Sequence, residues 1–144
     1  MRLQITGPDN TFLKLDLVND LVFHVGGFDY SSRLGRVDNV LNILSNKISA
    51  IPRLEIKDLA DIVFIARKYA FNWEIMISEA AQKDDWVNPL DLARYLAEVP
   101  PNRFEMIQWI EPVSISEIIH SCQTIADEII LGADNSLVRR LHPS

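Results

Sequence analysis

The segment from Val37 to Tyr69 constrains the fold most, because it reads as two amphipathic helices joined by a short Pro-Arg turn. Apolar residues recur at helical spacing through both halves, and Pro52 must end the first helix. We expect helices over about 38–50 and 55–69. This segment also has the densest group of polar residues next to apolar helix faces: Asn46, Lys47, Arg53, Lys57, Asp58 and Asp61. The segment therefore supplies both a helical core and the leading candidates for a site.

Most of the chain after residue 70 also has helical periodicity. Asn88 can cap a helix that has Pro89 at its first position, and Ser114 with Glu117 matches a capping box. Gly132 is suited to end the longest helix. These signals predict helices over about 73–83, 89–98 and 114–131, a short helix or turn over 104–110, and a frayed final helix over 134–141.

The N-terminal residues predict a β-hairpin. Residues 2–6 and 12–18 alternate polar and apolar side chains, and the cluster at 7–10 favours a turn between them. Three leucines of the second strand share the face that we expect to meet a core: Leu13, Leu15 and Leu17. Because a two-stranded hairpin is only marginally stable alone, it needs helices behind it or strands beside it. Residues 21–25 are the candidate for one further strand.

The composition fits one folded α+β domain that is predominantly helical. The chain has 144 residues, of which 48% are hydrophobic and 24% are charged, a balance typical of globular proteins and not of disordered chains. We predict a single domain over residues 1–144. A short β-hairpin or three-stranded segment and its connection (1–36) precede a bundle of five or more helices (37–144).

The net charge and the single cysteine exclude several classes of function. A net charge of −6 argues against binding to DNA or to a membrane surface, and no apolar run approaches the roughly 20 residues of a membrane span. Cys122 stands alone, which excludes an internal disulfide and a cysteine-based zinc site; its apolar helical surroundings predict a buried thiol. Since no secretion signal is recognisable, we expect the protein in the cytoplasm.

Two polar pairs are open to either an ordinary or a functional interpretation. Lys14 and Asp16 point to one side of a strand, either as an ion pair in solvent or as an ammonium and a carboxylate facing a metal–phosphate site. Asp58 and Asp61 lie on one side of a helix near its N-terminus, where the helix dipole favours acidic residues. Local pattern favours the ordinary interpretation of both pairs. His24 has no second ligand at metal spacing, so we expect a structural role for it.

Taken in order, three short motifs resemble those of a known family. They are Lys14-Leu15-Asp16 on the second strand, Asn46-Lys47 and Ala50 on a helix that begins near Asp38, and Arg53 followed by Lys57-Asp58 and Asp61. Over residues 12–70 their order and spacing resemble the second half of AbiEii-type nucleotidyltransferase toxins. That family includes the MenA-type toxins and belongs to toxin–antitoxin and abortive-infection systems.

The resemblance implies a role for each of four residues. In the family a polymerase-β-like palm precedes the helices, and paired acids hold two metal ions, normally Mg²⁺, that position a nucleoside triphosphate. By that comparison Asp16 takes the late acidic position beside the metals, while Lys14 and Lys47 face the triphosphate. Asp58 is the helix acid that orients Lys47 or a group of the nucleotide. Asp16, Lys47 and Asp58 are thus the catalytic candidates.

The chain departs from the family pattern before its second strand. No Gly-Ser motif and no pair of metal-binding acids precedes Lys14, and Asp16 alone cannot hold a metal pair. The resemblance therefore implies a truncated or partial member that retains nucleotide or phosphate contacts but is not competent in nucleotidyl transfer by itself. Mg²⁺ would bind only if a complementary half-chain supplied the missing acids. An antitoxin is the other partner that the family implies.

A second interpretation is a non-catalytic interaction module. The hairpin leaves a strand edge exposed, and this edge would pair with another copy or with a partner chain, so that a homo-oligomer is expected. A third interpretation is an independent enzyme built on Asp58 and Asp61. Against it, Asp61 is better placed as a structural partner of Arg53. Binding of nucleoside triphosphates with Mg²⁺ separates these interpretations.

Overall fold

The computed structural model describes residues 1–17, 23–53 and 55–138, and in this part of the chain two antiparallel strand pairs precede six helices. The strands are β1 (Arg2–Thr6), β2 (Phe12–Asp16), β3 (Asp29–Ser31) and β4 (Gly35–Val37). The helices are α1 (Val40–Ala50), α2 (Ile56–Lys68), α3 (Trp73–Ala81), α4 (Pro89–Glu98), α5 (Pro101–Glu105) and α6 (Ile115–Leu131). The expectation of a predominantly helical α+β protein is confirmed.

Side-chain caps explain where the helices begin and end. Asn88 and Ser114 each accept a hydrogen bond from the main-chain N–H three residues further on, which confirms both predicted caps. Gly132 ends α6 with a φ of 60°, the left-handed conformation that glycine adopts without strain. The cap of α1 is Asn39, one residue after Asp38, near which the helix was expected to begin. Sequence signals therefore placed these helix ends to within one or two residues.

The core lies among the helices. Helix α4 packs against α6, and α1 packs against both α2 and α3. The indole of Trp73 is fully buried, and its N–H donates to a carboxylate oxygen of Glu128 on α6 over 2.9 Å. The other oxygen of Glu128 accepts from the main-chain N–H of Ser136, which fixes the segment after α6. Cys122 is fully buried, as expected. The proposed helix over 134–141 lies partly outside the described residues.

A polar network ties the loop over residues 23–28 to the start of α1. The imidazole Nε2 of His24 lies 2.7 Å from a carboxylate oxygen of Asp38, the residue before the helix cap. The amide of Asn39 donates to the main-chain oxygen of Val25, and the Val25 N–H donates to Asn42. Asn42 also donates to Asp38. His24 therefore has the structural role that was expected.

The predicted N-terminal hairpin is present, but its leucine face is not covered. Strands β1 and β2 pair in antiparallel register, with Leu3 opposite Leu15 and Ile5 opposite Leu13. Every residue of both strands is exposed, including the leucines that were expected to meet a core. That expectation is wrong because alternation shows which side chains share a face and says nothing about what lies against it.

A second hairpin follows, where the sequence predicted a loop. Strands β3 and β4 are three residues each, too short for an alternation pattern to stand out. The proposed third strand over 21–25 falls partly outside the described residues, and its described part, 23–25, is not a strand. Among the described residues, the β structure is thus two separate strand pairs.

Candidate functional site

The candidate residues on α1 and α2 come together in one ionic cluster. The ammonium of Lys47 donates to Asp58 over 2.7 Å and lies 2.7 Å from a carboxylate oxygen of Asp61. The packing of α1 against α2 brings these three side chains together across the Pro-Arg turn. The expected pairing of Asp61 with Arg53 is therefore wrong, because Asp61 pairs with Lys47 instead. The side chain of Asp58 is largely buried, with 15% exposed, whereas that of Asp61 is half exposed.

The cluster holds Lys47 in its charged form. Partial burial by itself lowers the pKa of Lys47, but the hydrogen bonds to Asp58 and Asp61 outweigh it and raise that pKa above its ordinary value. One ammonium faces two carboxylates, so the cluster carries a formal charge of about −1 near neutral pH. A triphosphate could bind the Lys47 ammonium only by displacing the two carboxylates that already bond it.

The other two candidates lie on the hairpin. The guanidinium of Arg2 donates to Asp16 over 2.6 Å, and this bond holds the pKa of Asp16 below its usual range. The ammonium of Lys14 lies 5.9 Å from the ring centre of Phe12 on the same strand face. Neither residue forms an ion pair or hydrogen bond with the Lys47 cluster in the part of the chain that the structure describes. The four residues that the family resemblance groups are thus found in two separate sets.

The carboxylates do not fit a magnesium site. Among the residues that the structure describes, no group of three or more His, Cys, Asp or Glu side chains is placed to hold a metal ion. Asp16 is engaged by Arg2, and Asp58 is engaged by Lys47. Because Mg²⁺ needs several oxygen ligands in near-octahedral geometry, these residues do not make a site by themselves.

A polar cluster that the sequence did not reveal lies on the opposite side of α1. The ammonium of Lys83 donates to the side-chain oxygens of Asn42 and Ser45 over 2.6 and 2.7 Å, and to that of Asn46 over 2.5 Å. Asn42 and Ser45 are buried, although polar residues are usually found on the solvated side of a helix. The signal was present as polar residues spaced three and four apart, but the partner lies 37 to 41 residues away on the chain. The cluster joins α1 to the end of α3.

One further cavity contains none of the candidate residues. It has a volume of about 410 Å³ and lies between the beginning of α2 and the end of α4. Its lining includes the apolar Leu59 and Val99 and charged residues of both signs, among them Arg94 and Glu98. The lining therefore favours neither an anionic nor a cationic ligand.

The apolar face of the β1–β2 hairpin is exposed to solvent. Aliphatic side chains from both strands line it without interruption, since paired residues of an antiparallel ladder project to the same side. Between 36% and 77% of each of these residues is exposed to solvent. We call this surface the hairpin face, and it consists of Met1, Leu3, Ile5, Leu13, Leu15 and Leu17.

Comparisons with protein-family models, with curated proteins and with solved structures give no match to this chain. Within the described ranges, no helix has both the length and the apolarity that a membrane crossing needs.

Proposed function

We propose that this chain is a non-catalytic interaction module that associates with a second copy of itself through the β1–β2 hairpin. The observation that carries the proposal is the hairpin face, in which six apolar residues lie side by side and all stay exposed. Contiguous apolar patches of several hundred Å², roughly the area of six such side chains, are typical of association surfaces when they stay exposed on a folded protein.

The state of the polar candidates supports the same function. A catalytic centre needs groups that are available to substrate and held close to each other. Here the charge of Lys47 is met by two carboxylates, and Asp16 is engaged by Arg2. These pairings explain the residues as stabilising contacts within α1–α2 and within the hairpin.

A retained nucleotide contact, as in a partial nucleotidyltransferase of AbiEii type, is the second candidate function. The hydrogen bond between Asp58 and Lys47 favours it, because the family resemblance assigns Asp58 to the orientation of Lys47. The excess negative charge of the cluster opposes it, since Lys47 would have to leave two carboxylates to reach a triphosphate.

The molar mass in solution tests the interaction module. We expect light scattering to give a mass that rises with protein concentration from one chain, 16.4 kDa, towards twice that value. A mass of one chain at every concentration would exclude self-association and with it the proposed function.

Calorimetric titration tests the second candidate. Each of ATP, CTP, GTP and UTP would be titrated with Mg²⁺ into the wild type, Lys47→Ala and a control, Lys57→Ala, whose lysine is exposed on the same pair of helices. We expect no binding heat for any of the three proteins. Binding by wild type and Lys57→Ala that is lost in Lys47→Ala would establish a nucleotide site instead.

A further inference from the structure

We infer that two copies associate by stacking their hairpin faces in an isologous sandwich, and not by joining strand edges into a continuous sheet. The inference rests on the proposed function and specifies the geometry of that association. It replaces the edge pairing that the sequence suggested. In an isologous pair the same patch lies on both copies, so a flat and uniformly aliphatic face is complementary to itself.

The two faces of the hairpin differ sharply in chemistry. The register places aliphatic residues in three cross-strand pairs on one face, ending with Met1 opposite Leu17, whose main-chain atoms bond reciprocally over 2.6 and 2.7 Å. The opposite face has the polar and charged residues: Arg2, Gln4, Thr6, Lys14 and Asp16, together with Phe12. The first face gains more by leaving water, because none of its side chains carries a charge to desolvate; the one charge beside it is the Met1 ammonium, which bonds the main-chain oxygen of Leu17.

The area of the hairpin face is enough for a stable pair of chains. From the exposed fractions of its six residues, one copy presents on the order of 600 Å², the upper end for the largest apolar patch on an ordinary monomer. Two stacked copies would remove on the order of 1,200 Å² from water, which reaches the range of specific interfaces. Two acidic chains, each with a net charge of −6, can meet there without placing charged side chains in contact.

The strand edges are less favourable surfaces. The reciprocal bonds of Met1 with Leu17 show that odd-numbered residues pair inside the hairpin, so that even-numbered residues turn their main-chain N–H and C=O groups outward. These outward positions include Arg2 on one edge and Lys14 on the other. Charged residues on an edge strand oppose edge-to-edge pairing. Edge pairing would also leave the hairpin face exposed.

A matched pair of substitutions tests the stacking. Ile5→Lys places a charge on the hairpin face, and Gln4→Lys places the same charge on the neighbouring residue of the opposite face. Because a twofold interface meets each change twice, we expect Ile5→Lys to weaken dimer formation by at least roughly 100-fold. Gln4→Lys should leave it within about threefold of wild type. The readout is the dissociation constant from concentration-dependent molar mass.

An edge variant separates the two geometries. Lys14→Pro removes an outward N–H and leaves the bonds inside the hairpin intact, so we expect it to remain dimeric. Loss of the dimer in Lys14→Pro together with a normal dimer in Ile5→Lys would overturn the stacking and leave the proposed function standing. A wild type that is monomeric at every concentration would overturn both.

Thiol labelling gives a reading that does not depend on how the proline affects folding. Leu13→Cys introduces a thiol on the hairpin face, Lys14→Cys introduces one beside it, and the native Cys122 is fully buried. At dimer-forming concentrations we expect maleimide labelling of Leu13→Cys to slow by at least roughly tenfold relative to dilute protein, as for a thiol that becomes buried. Labelling of Lys14→Cys should not change. Equal rates for Leu13→Cys in dilute and concentrated samples would contradict stacking.

Discussion

Replacing Lys47 by methionine tests whether the α1–α2 cluster stabilises the fold. Methionine keeps most of the aliphatic stem and removes the ammonium that bonds Asp58 and Asp61 over 2.7 Å each. Most of the lost stability comes from Asp58, because its side chain is only 15% exposed and its carboxylate would be left without a cation. Asp61 is half exposed, so its share is small.

The size of the effect follows from these exposures. A hydrogen bond to a partly buried charged group contributes about 1.5–3 kcal/mol, and the half-exposed pair adds about 0.5 kcal/mol at most. Since Lys47 and Asp58 both keep some solvent contact, we expect the free energy of unfolding to fall by about 2 kcal/mol. For a chain of this length the melting temperature should fall by about 5 °C.

Urea denaturation followed by circular dichroism measures this difference directly. Lys57→Met is the matched control: the same change at an exposed lysine on α2, expected to alter the free energy of unfolding by less than about 0.5 kcal/mol. If Lys47→Met were as stable as Lys57→Met, the cluster would not stabilise the fold, and a role for Lys47 outside stability would have to be found.

The pH dependence gives a second measure of the same cluster. Because the folded-state pKa of Lys47 is raised, its stabilising contribution is complete below the ordinary lysine pKa of 10.5 and is lost as the pH rises through the higher folded value. The difference in unfolding free energy between wild type and Lys47→Met should therefore be constant from about pH 6 to 9 and shrink above about pH 10.5. A difference that already falls between pH 7 and 9 would contradict the assignment.

Three further predictions concern the core and the helix ends. Burial raises the pKa of Cys122 to about 12, so the native protein should not react with a disulfide reagent at pH 8 until it is unfolded, as absorbance shows. Trp73→Phe leaves the buried carboxylate of Glu128 without the indole N–H that bonds it over 2.9 Å. We expect the free energy of unfolding, measured by urea denaturation, to fall by about 1–3 kcal/mol. Gly132→Ala forces a side chain into a left-handed φ of 60°, with its Cβ 3.4 Å from Glu74, and should cost about 1 kcal/mol in the same assay.

The helical part of the fold could be predicted because its signals are local. Asn88 with Pro89, Ser114 and Gly132 mark helix ends through bonds that span only a few residues. The β1–β2 hairpin was equally readable, since two alternating runs flank a cluster of turn residues. Strands β3 and β4 were not predicted, because three residues are too few to show an alternating pattern.

Side-chain contacts between residues far apart in the chain could not be predicted from the sequence. The burial of Asn42 could not be predicted, because nothing near it in the sequence indicates that Lys83, 41 residues further on, bonds to it. Asp61 was paired with Arg53 by proximity in sequence, whereas helix packing gives it Lys47. The same limit applies to the hairpin face, since alternation identifies it but packing decides whether it is covered.

The AbiEii resemblance stays a prediction. It grouped Lys14, Asp16, Lys47 and Asp58 as parts of one site, and the structure gives each of the last three an internal ionic partner. The same residues therefore have a structural explanation that needs no nucleotide. The titrations with the four nucleoside triphosphates decide between the two explanations.

Methyl NMR on a mixed sample tests the central claim most directly, that the hairpin face is where two copies meet. One half of the sample carries labelled methyl groups and the other half is unlabelled, so that contacts between different chains can be recorded separately from contacts within one chain. The account predicts cross-chain Overhauser effects from the methyl groups of Ile5, Leu13 and Leu15 to aliphatic protons of the second copy, which weaken on dilution. If these methyl groups showed contacts only within their own chain while the sample was dimeric, the hairpin face would not be the interface.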